Sequence, residues 1–213
     1  MAALNRGRAG GEVSPPNPWD PLVRFSHWFL AAAIVANALL NKEGGTWHIW
    51  IGWAAIAVLA IRIIWGVVGP YEARFSAFPP SLRAARRHVG ALFWGRAQEY
   101  PSHNPAGALM VYALWGLMAV TLATGLVMTG AKGPMTIASE KAAVAAGDWS
   151  VLVKESDGHD GEHDDDDEIA EEIHEAASNL ILFLALLHLG GVLIESKLLR
   201  RNLIRPMLWR RNT

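Results

Sequence analysis

The stretch His174–Glu195, H-E-A-A-S-N-L-I-L-F-L-A-L-L-H-L-G-G-V-L-I-E, decides the fold. A single charged side chain, Glu175, lies between its two histidines. About 20 such residues make a helix that crosses a bilayer. An imidazole inside hydrocarbon is costly, so an intramembrane histidine marks a functional site. His174 and His188 are fourteen residues apart, close to four helical turns, and so share one face of that helix. At 1.5 Å per residue they stand about 21 Å apart along its axis, one toward each membrane face.

Three earlier stretches have the same character, at 24–41, 48–69 and 106–130, the first weakened by Asn37 and Asn41. Hydrophobic residues make up 52% of the 213 and charged residues only 18%, which points away from a soluble domain. The expected fold is an all-α integral membrane protein, a bundle of four transmembrane helices (24–41, 48–69, 106–130 and 174–196). Several of the ten tryptophans, including Trp19, Trp28, Trp47, Trp50 and Trp209, fall near helix ends, where interfacial belts form.

Charge sets the topology. Fourteen of the nineteen Lys and Arg residues crowd three places: the N-terminus through Arg24, the 70–105 connection, and the tail from Lys197. With four spans these lie on one side, and the positive-inside rule makes it cytoplasmic. Residues 1–22 are polar and proline-rich, without the apolar core of a signal peptide, and read as a cytoplasmic segment. The membrane domain is expected over 23–208 and a cytoplasmic tail over 209–213. The 131–173 connection becomes a periplasmic loop, with thirteen acidic residues between Glu140 and Glu172.

The chain has no cysteine, which excludes disulfides, iron–sulfur clusters, zinc–thiolate sites and covalently attached haem. Histidine remains as the ligand for a non-covalent haem. By depth, His27 at the inner end of helix 1 meets His188, and His48 at the outer end of helix 2 meets His174. Two such pairs suit two b-type haems with bis-histidine ligation, which fills both axial positions and favours electron transfer over oxygen binding. Arg62, fourteen residues after His48, should share its face and lie at the depth of His27, where a haem propionate would supply a counter-charge. Thr121, Thr124 and Gly125 form a small face on helix 3.

Plainer readings stand beside these. His48 among Trp47, Trp50 and Trp53 reads singly as an interfacial residue, and Arg24 and Arg62 as snorkelling cations. His88 and His103 are expected at the surface or the interface. His159 and His163, in G-H-D-G-E-H-D-D-D-D-E (158–168), fit a solvated acidic loop, a divalent-cation site or a dock for a basic partner. The amphipathic stretch Leu82–Phe93 is expected on the inner membrane surface, with Arg83, Arg86 and Arg87 at the headgroups.

The motifs resemble those of bacterial cytochrome b561-type proteins, a family that includes the cytochrome b subunit of nickel–iron hydrogenases and is related to the formate dehydrogenase gamma subunit. W-D-P-L-V-R-F-S-H-W (19–28) resembles its opening, and H-I-W-I-G (48–52) its helix-2 motif. R-I-I-W-G-V-V-G-P-Y-E-A-R-F (62–75), H-N-P-A-G (103–107) and T-G (124–125) are similar to its helix-2 exit and helix-3 motifs. H-E-A-A-S-N (174–179), H-L-G-G-V-L-I-E-S (188–196) and N-L-I-R-P-M (202–207) resemble its last helix and tail.

The resemblance implies four spans and two b haems, with His27, His48, His174 and His188 at the ligand positions. The expected function is a di-haem cytochrome of the bacterial inner membrane. It would carry electrons between the quinone pool and a periplasmic redox protein, such as a c-type cytochrome docking on the acidic loop. A quinone site would lie near the inner haem, where Arg24, Arg62, Arg74 and His103 could gather. Lipid is the surrounding partner and no nucleic acid is expected; a symmetric homodimer is compatible with the sequence. Two alternatives stay open: a stand-alone quinol-dependent oxidoreductase acting on a small species such as superoxide, and a haem-free metal transporter or sensor.

Overall fold

The computed structural model describes residue 16 and residues 18–41, 44–96, 98, 100–151 and 162–208, with 162–166 as backbone alone. The described residues form helices and connections, without a strand. Helix α1 covers Pro21–Val35 and runs on through a π-helical turn, Ala36–Leu40; α2 is Thr46–Val68 and α3 Leu82–Phe93. Helices α4 (Pro105–Met128), α5 (Pro134–Ala145) and α6 (Glu162–Leu198) follow. Among the described residues, four helical segments are long and apolar enough to cross a membrane: Pro21–Leu40, Thr46–Val68, Pro105–Met128 and Asp167–Leu198.

Local chemistry sets the boundaries. Asp20 caps α1, its Oδ1 accepting from Leu22 N at 2.9 Å and Val23 N at 3.2 Å, with Pro21 preset for the first turn. Asn104 caps α4 in the same way, accepting from Gly107 N at 2.7 Å ahead of Pro105. Asn37, which looked like a blemish in the sequence, donates from Nδ2 to His48 O at 3.2 Å and so ties the end of α1 to the start of α2. At Gly66 a Cβ would lie 2.5 Å from the Phe75 ring, so only glycine lets the 3₁₀ turn Phe75–Ala77 fold back against α2.

The bundle is built from two helix pairs, α1 with α2 and α4 with α6, with α2 touching α4 and α3 lying on α4. Leu30, Ala55, Leu59, Met118 and Ile181 form the buried core. Ile181 lies midway between His174 and His188, so this core sits between the two histidine levels. Large apolar side chains such as Ile64, Val67, Phe183 and Leu186 are exposed around the outside, as lipid-facing positions must be when hydrocarbon is the solvent.

One end of the bundle gathers the start of α1, the end of α2, the start of α4 and the end of α6. Trp65 Nε1 donates to Asp20 Oδ1 at 3.0 Å, Trp28 Nε1 to Met207 O at 2.8 Å, and Asn104 Nδ2 to Glu195 Oε2 at 2.7 Å. The opposite end carries α5, which Lys141 ties to Gly44 O at 2.5 Å and the Lys132–Glu140 ion pair joins to its own approach.

The 131–173 connection differs from the loop expected. It contains α5, and α6 begins at Glu162, twelve residues before His174. At 37 residues α6 is about 55 Å long, well beyond the ~30 Å of a hydrocarbon core. Its first turns run through the acidic sequence Asp164–Glu168. A search for apolar runs cannot see those turns, because their stability owes nothing to hydrocarbon. The expectations for residues 1–15, for His159 and for the tail 209–213 fall outside the described residues, as does the side chain of His163.

Candidate functional site

Two histidine pairs bridge the helix pairs. His27 on α1 faces His188 on α6 with ring centroids 6.2 Å apart, and His48 on α2 faces His174 on α6 at 6.1 Å. These are the partners that matched depths give from the sequence. The rings are tilted by 58° and 52°, and neither pair stacks.

The spacing fits two imidazoles on opposite sides of one metal ion. Metal–nitrogen bonds of about 2 Å, with ~1.1 Å from each nitrogen to its ring centre, separate the centroids by about 6 Å. The donor chemistry agrees. Thr124 Oγ1 on α4 lies 3.0 Å from the carbonyls of both Val120 and Thr121, which take its hydrogen, and 3.1 Å from His174 Nδ1. It therefore accepts from Nδ1–H, which leaves the Nε2 lone pair free for a metal. Gly125 makes room for that ring: a Cβ there would lie 3.4 Å from His174 Cε1. His27 sits edge-on to Trp28 at 5.1 Å, and its Nδ1 is buried without a hydrogen-bond partner among the described residues.

The arginines at the termini end are less uniform than expected. Arg62 is buried; both its Nη atoms lie 3.5 Å from Ala73 O, and its guanidinium covers Trp115 at 4.9 Å. Arg24, also buried, donates to Leu208 O at 3.1 Å, and Arg74 to Gly69 O at 2.6 Å. Each thus has a carbonyl partner on the backbone, and Arg24 and Arg74 hold chain segments together at this end.

His103, expected at the surface or the interface and among the residues that could gather at a quinone site, is half-buried. It packs between Trp19 at 5.0 Å and Phe78 at 4.5 Å, with Nδ1 3.2 Å from Ser102 Oγ. Burial among these rings, followed by the positive charge of Arg62 and the nearby His188 and His27, holds its imidazole at about 4, so it is neutral at pH 7. Arg62 and His103 therefore share one electrostatic neighbourhood. A cavity of about 300 Å³, lined by Trp19, Asp20, Pro70, Glu72 and Ala73 among others, opens at the same end.

His88, expected at the surface or the interface, is buried. It is 4% exposed, edge-on to Tyr100 at 5.4 Å, with Nε2 3.5 Å from Glu195 Oε1. It falls on the buried stripe Ala85, His88, Leu92 of α3, a three-then-four spacing that the sequence does display. The Asp20 hub and the orienting role of Thr124 escaped sequence reasoning, because each depends on how separate helices are rotated against one another. No cluster of metal-ligating side chains in groups of three or more occurs among the described residues.

Residues 18–210 match the family of prokaryotic cytochrome b561. No curated protein and no solved structure matches the chain. The family match spans nearly all of the chain, which belongs to that family: it is a multi-pass membrane cytochrome of the b type, acting in electron transport.

Proposed function

We propose that this member of the prokaryotic cytochrome b561 family holds two b haems, one between His27 and His188 and one between His48 and His174. It would pass electrons across the bacterial inner membrane between the quinone pool and a periplasmic redox protein. The observation that carries this reading is the two facing pairs, with centroids 6.2 and 6.1 Å apart, at opposite ends of one helix face. Each haem, when bound, supplies a one-electron iron couple.

The chain does the positioning. Thr124 fixes the tautomer and the turn of His174, and Gly125 gives the ring space. The two histidine pairs would hold the haems, and ligation by both members of a pair would favour electron transfer over oxygen binding. Arg62 keeps guanidinium donors beyond its long contacts with Ala73 O and suits a propionate; Arg24 and Arg74 lie at the same end. Neutral His103, beside Arg62 and the 300 Å³ cavity, suits the carbonyl of a quinone. The basic end, with both chain segments nearest the termini, faces the cytoplasm. The acidic start of α6 faces the periplasm, where it attracts a basic partner such as a c-type cytochrome.

The test is vectorial. In proteoliposomes with short-chain quinol in the bilayer, the protein should be reduced by quinol and reoxidised by a membrane-impermeant acceptor outside. Replacing His48 with Ala should stop the reoxidation while leaving reduction of the His27–His188 site intact. Unimpaired transfer to the external acceptor in that variant would remove the outer pair from the path.

A further inference from the structure

Helix α3 has three faces, and only one of them is used by the bundle. Ala85, His88 and Leu92 are buried against the neighbouring helices, and the His88–Glu195 contact clasps α3 to α6. Beside this stripe runs a second apolar one, Leu82, Val89 and Phe93, at intervals of seven and four residues. Leu82 is 67% exposed and Phe93 70%, and Trp94 at the helix end reaches 83%. The third face carries Arg83 and Arg87, and Arg86 lies on its border with the apolar stripe, one turn from Leu82 and from Val89; all three arginines are exposed. No salt bridge to any of them occurs among the described residues. With Leu82 these three arginines line a groove of about 470 Å³.

The four spans fix where these faces point. α3 joins the end of α2 to the start of α4, so it lies at the membrane surface on the basic side of the bundle. We propose that this groove is a binding site for an anionic phospholipid of the surrounding bilayer. The phosphate sits among Arg83, Arg86 and Arg87, and the acyl chains lie along Leu82, Val89 and Phe93. Arginine forks match phosphate oxygens, and an apolar stripe next to a cationic one matches an amphiphile rather than a water-soluble anion. Zwitterionic lipid meets the same apolar stripe but brings a cation of its own to the arginines.

The absence of cysteine makes the site directly readable. Gly90 lies one turn beyond Arg86 and Arg87, and a Cβ there would meet nothing within 4 Å. Gly90→Cys therefore accepts a bimane label beside the groove. The full chain is reconstituted in phosphatidylcholine bilayers. These contain an equal, small mole fraction of either phosphatidylglycerol or phosphatidylcholine brominated near the top of the chains. Each basic residue near a surface favours anionic lipid by roughly fivefold, so three acting together should enrich the quencher by up to roughly a hundredfold at this site. Brominated phosphatidylglycerol should quench several-fold more efficiently than brominated phosphatidylcholine. Adding Arg83→Gln, Arg86→Gln and Arg87→Gln should bring the two close to parity. Equal quenching in the parent, or an undiminished preference in the triple variant, overturns the proposal. Loss of the preference on adding millimolar inorganic phosphate at constant ionic strength overturns it too, since the groove would then be a site for the free anion.

Discussion

Thr124 shows how much of a proposed ligand's behaviour is set by its neighbour. Its hydroxyl is held by the helix carbonyls of Val120 and Thr121, so the oxygen it presents to His174 Nδ1 is an acceptor. Removing it leaves the imidazole free to change tautomer and to turn. Such partners are worth about 10- to 100-fold in metal affinity. Thr124→Val should weaken retention of the haem proposed at the His48–His174 pair by roughly tenfold or more, while Thr124→Ser keeps it; haem release to apomyoglobin measures the difference. Equal release from both variants would assign Thr124 to helix packing alone.

His103 gives a second prediction at this scale. Its folded-state value, about 4, lies below the usual 6.5, so the unfolded chain binds the proton more readily. Its contribution to stability is therefore full above about pH 6.5. It falls as pH drops toward 4, because stability rises with pH wherever the unfolded state holds more protons. His103→Phe, which keeps a ring between Trp19 and Phe78, should flatten the loss of thermal stability between pH 6.5 and 4 in detergent. A variant with an unchanged acid limb would contradict the neutral imidazole.

Among the elements, α2 and the turn that follows it are fitted by one missing methyl group. A side chain at Gly66 would strike Phe75, whose ring also packs on Tyr112 and Trp115 of α4. Overpacking of this kind costs about 1–3 kcal/mol. Gly66→Val should lower the thermal midpoint, and Phe75→Leu in the same chain should recover part of the loss. If the double variant is no more stable than Gly66→Val alone, the clash lies elsewhere.

The helices themselves were legible because hydropathy and length are sequence properties. The histidine partners were legible because fourteen residues make nearly whole turns and topology fixes depth. Three things were not. The extension of α6 back to Glu162 runs through a charged stretch that carries no apolar pattern. The burial of His88 was masked by its arginine neighbours, although its spacing from Ala85 and Leu92 announces it. The packing of His103 depends on Trp19 and Phe78, which come from two distant segments.

The whole molecule is polarised. Cationic side chains, the neutral His103 and the crossing of chain segments through Asp20, Arg24 and Glu195 occupy one end. The other end is acidic, with an α6 long enough to stand several turns clear of the bilayer. Exchanging electrons with a basic soluble cytochrome at that end should be fast at low ionic strength and slow as salt screens it. Replacing Asp164–Asp167 with Asn should lower the low-salt rate several-fold and flatten its salt dependence, as read by stopped-flow reduction of the cytochrome. An unchanged salt profile would place the partner's dock elsewhere.

The central claim is that two histidine pairs at opposite depths hold two haems, and haem stoichiometry tests it most directly. Pyridine-haemochrome quantitation per chain, with a reduced-minus-oxidised spectrum, should give two b haems for the parent. His188→Ala should retain one, held by His48 and His174. One haem or none in a folded parent, or two in the His188→Ala variant, would contradict the account.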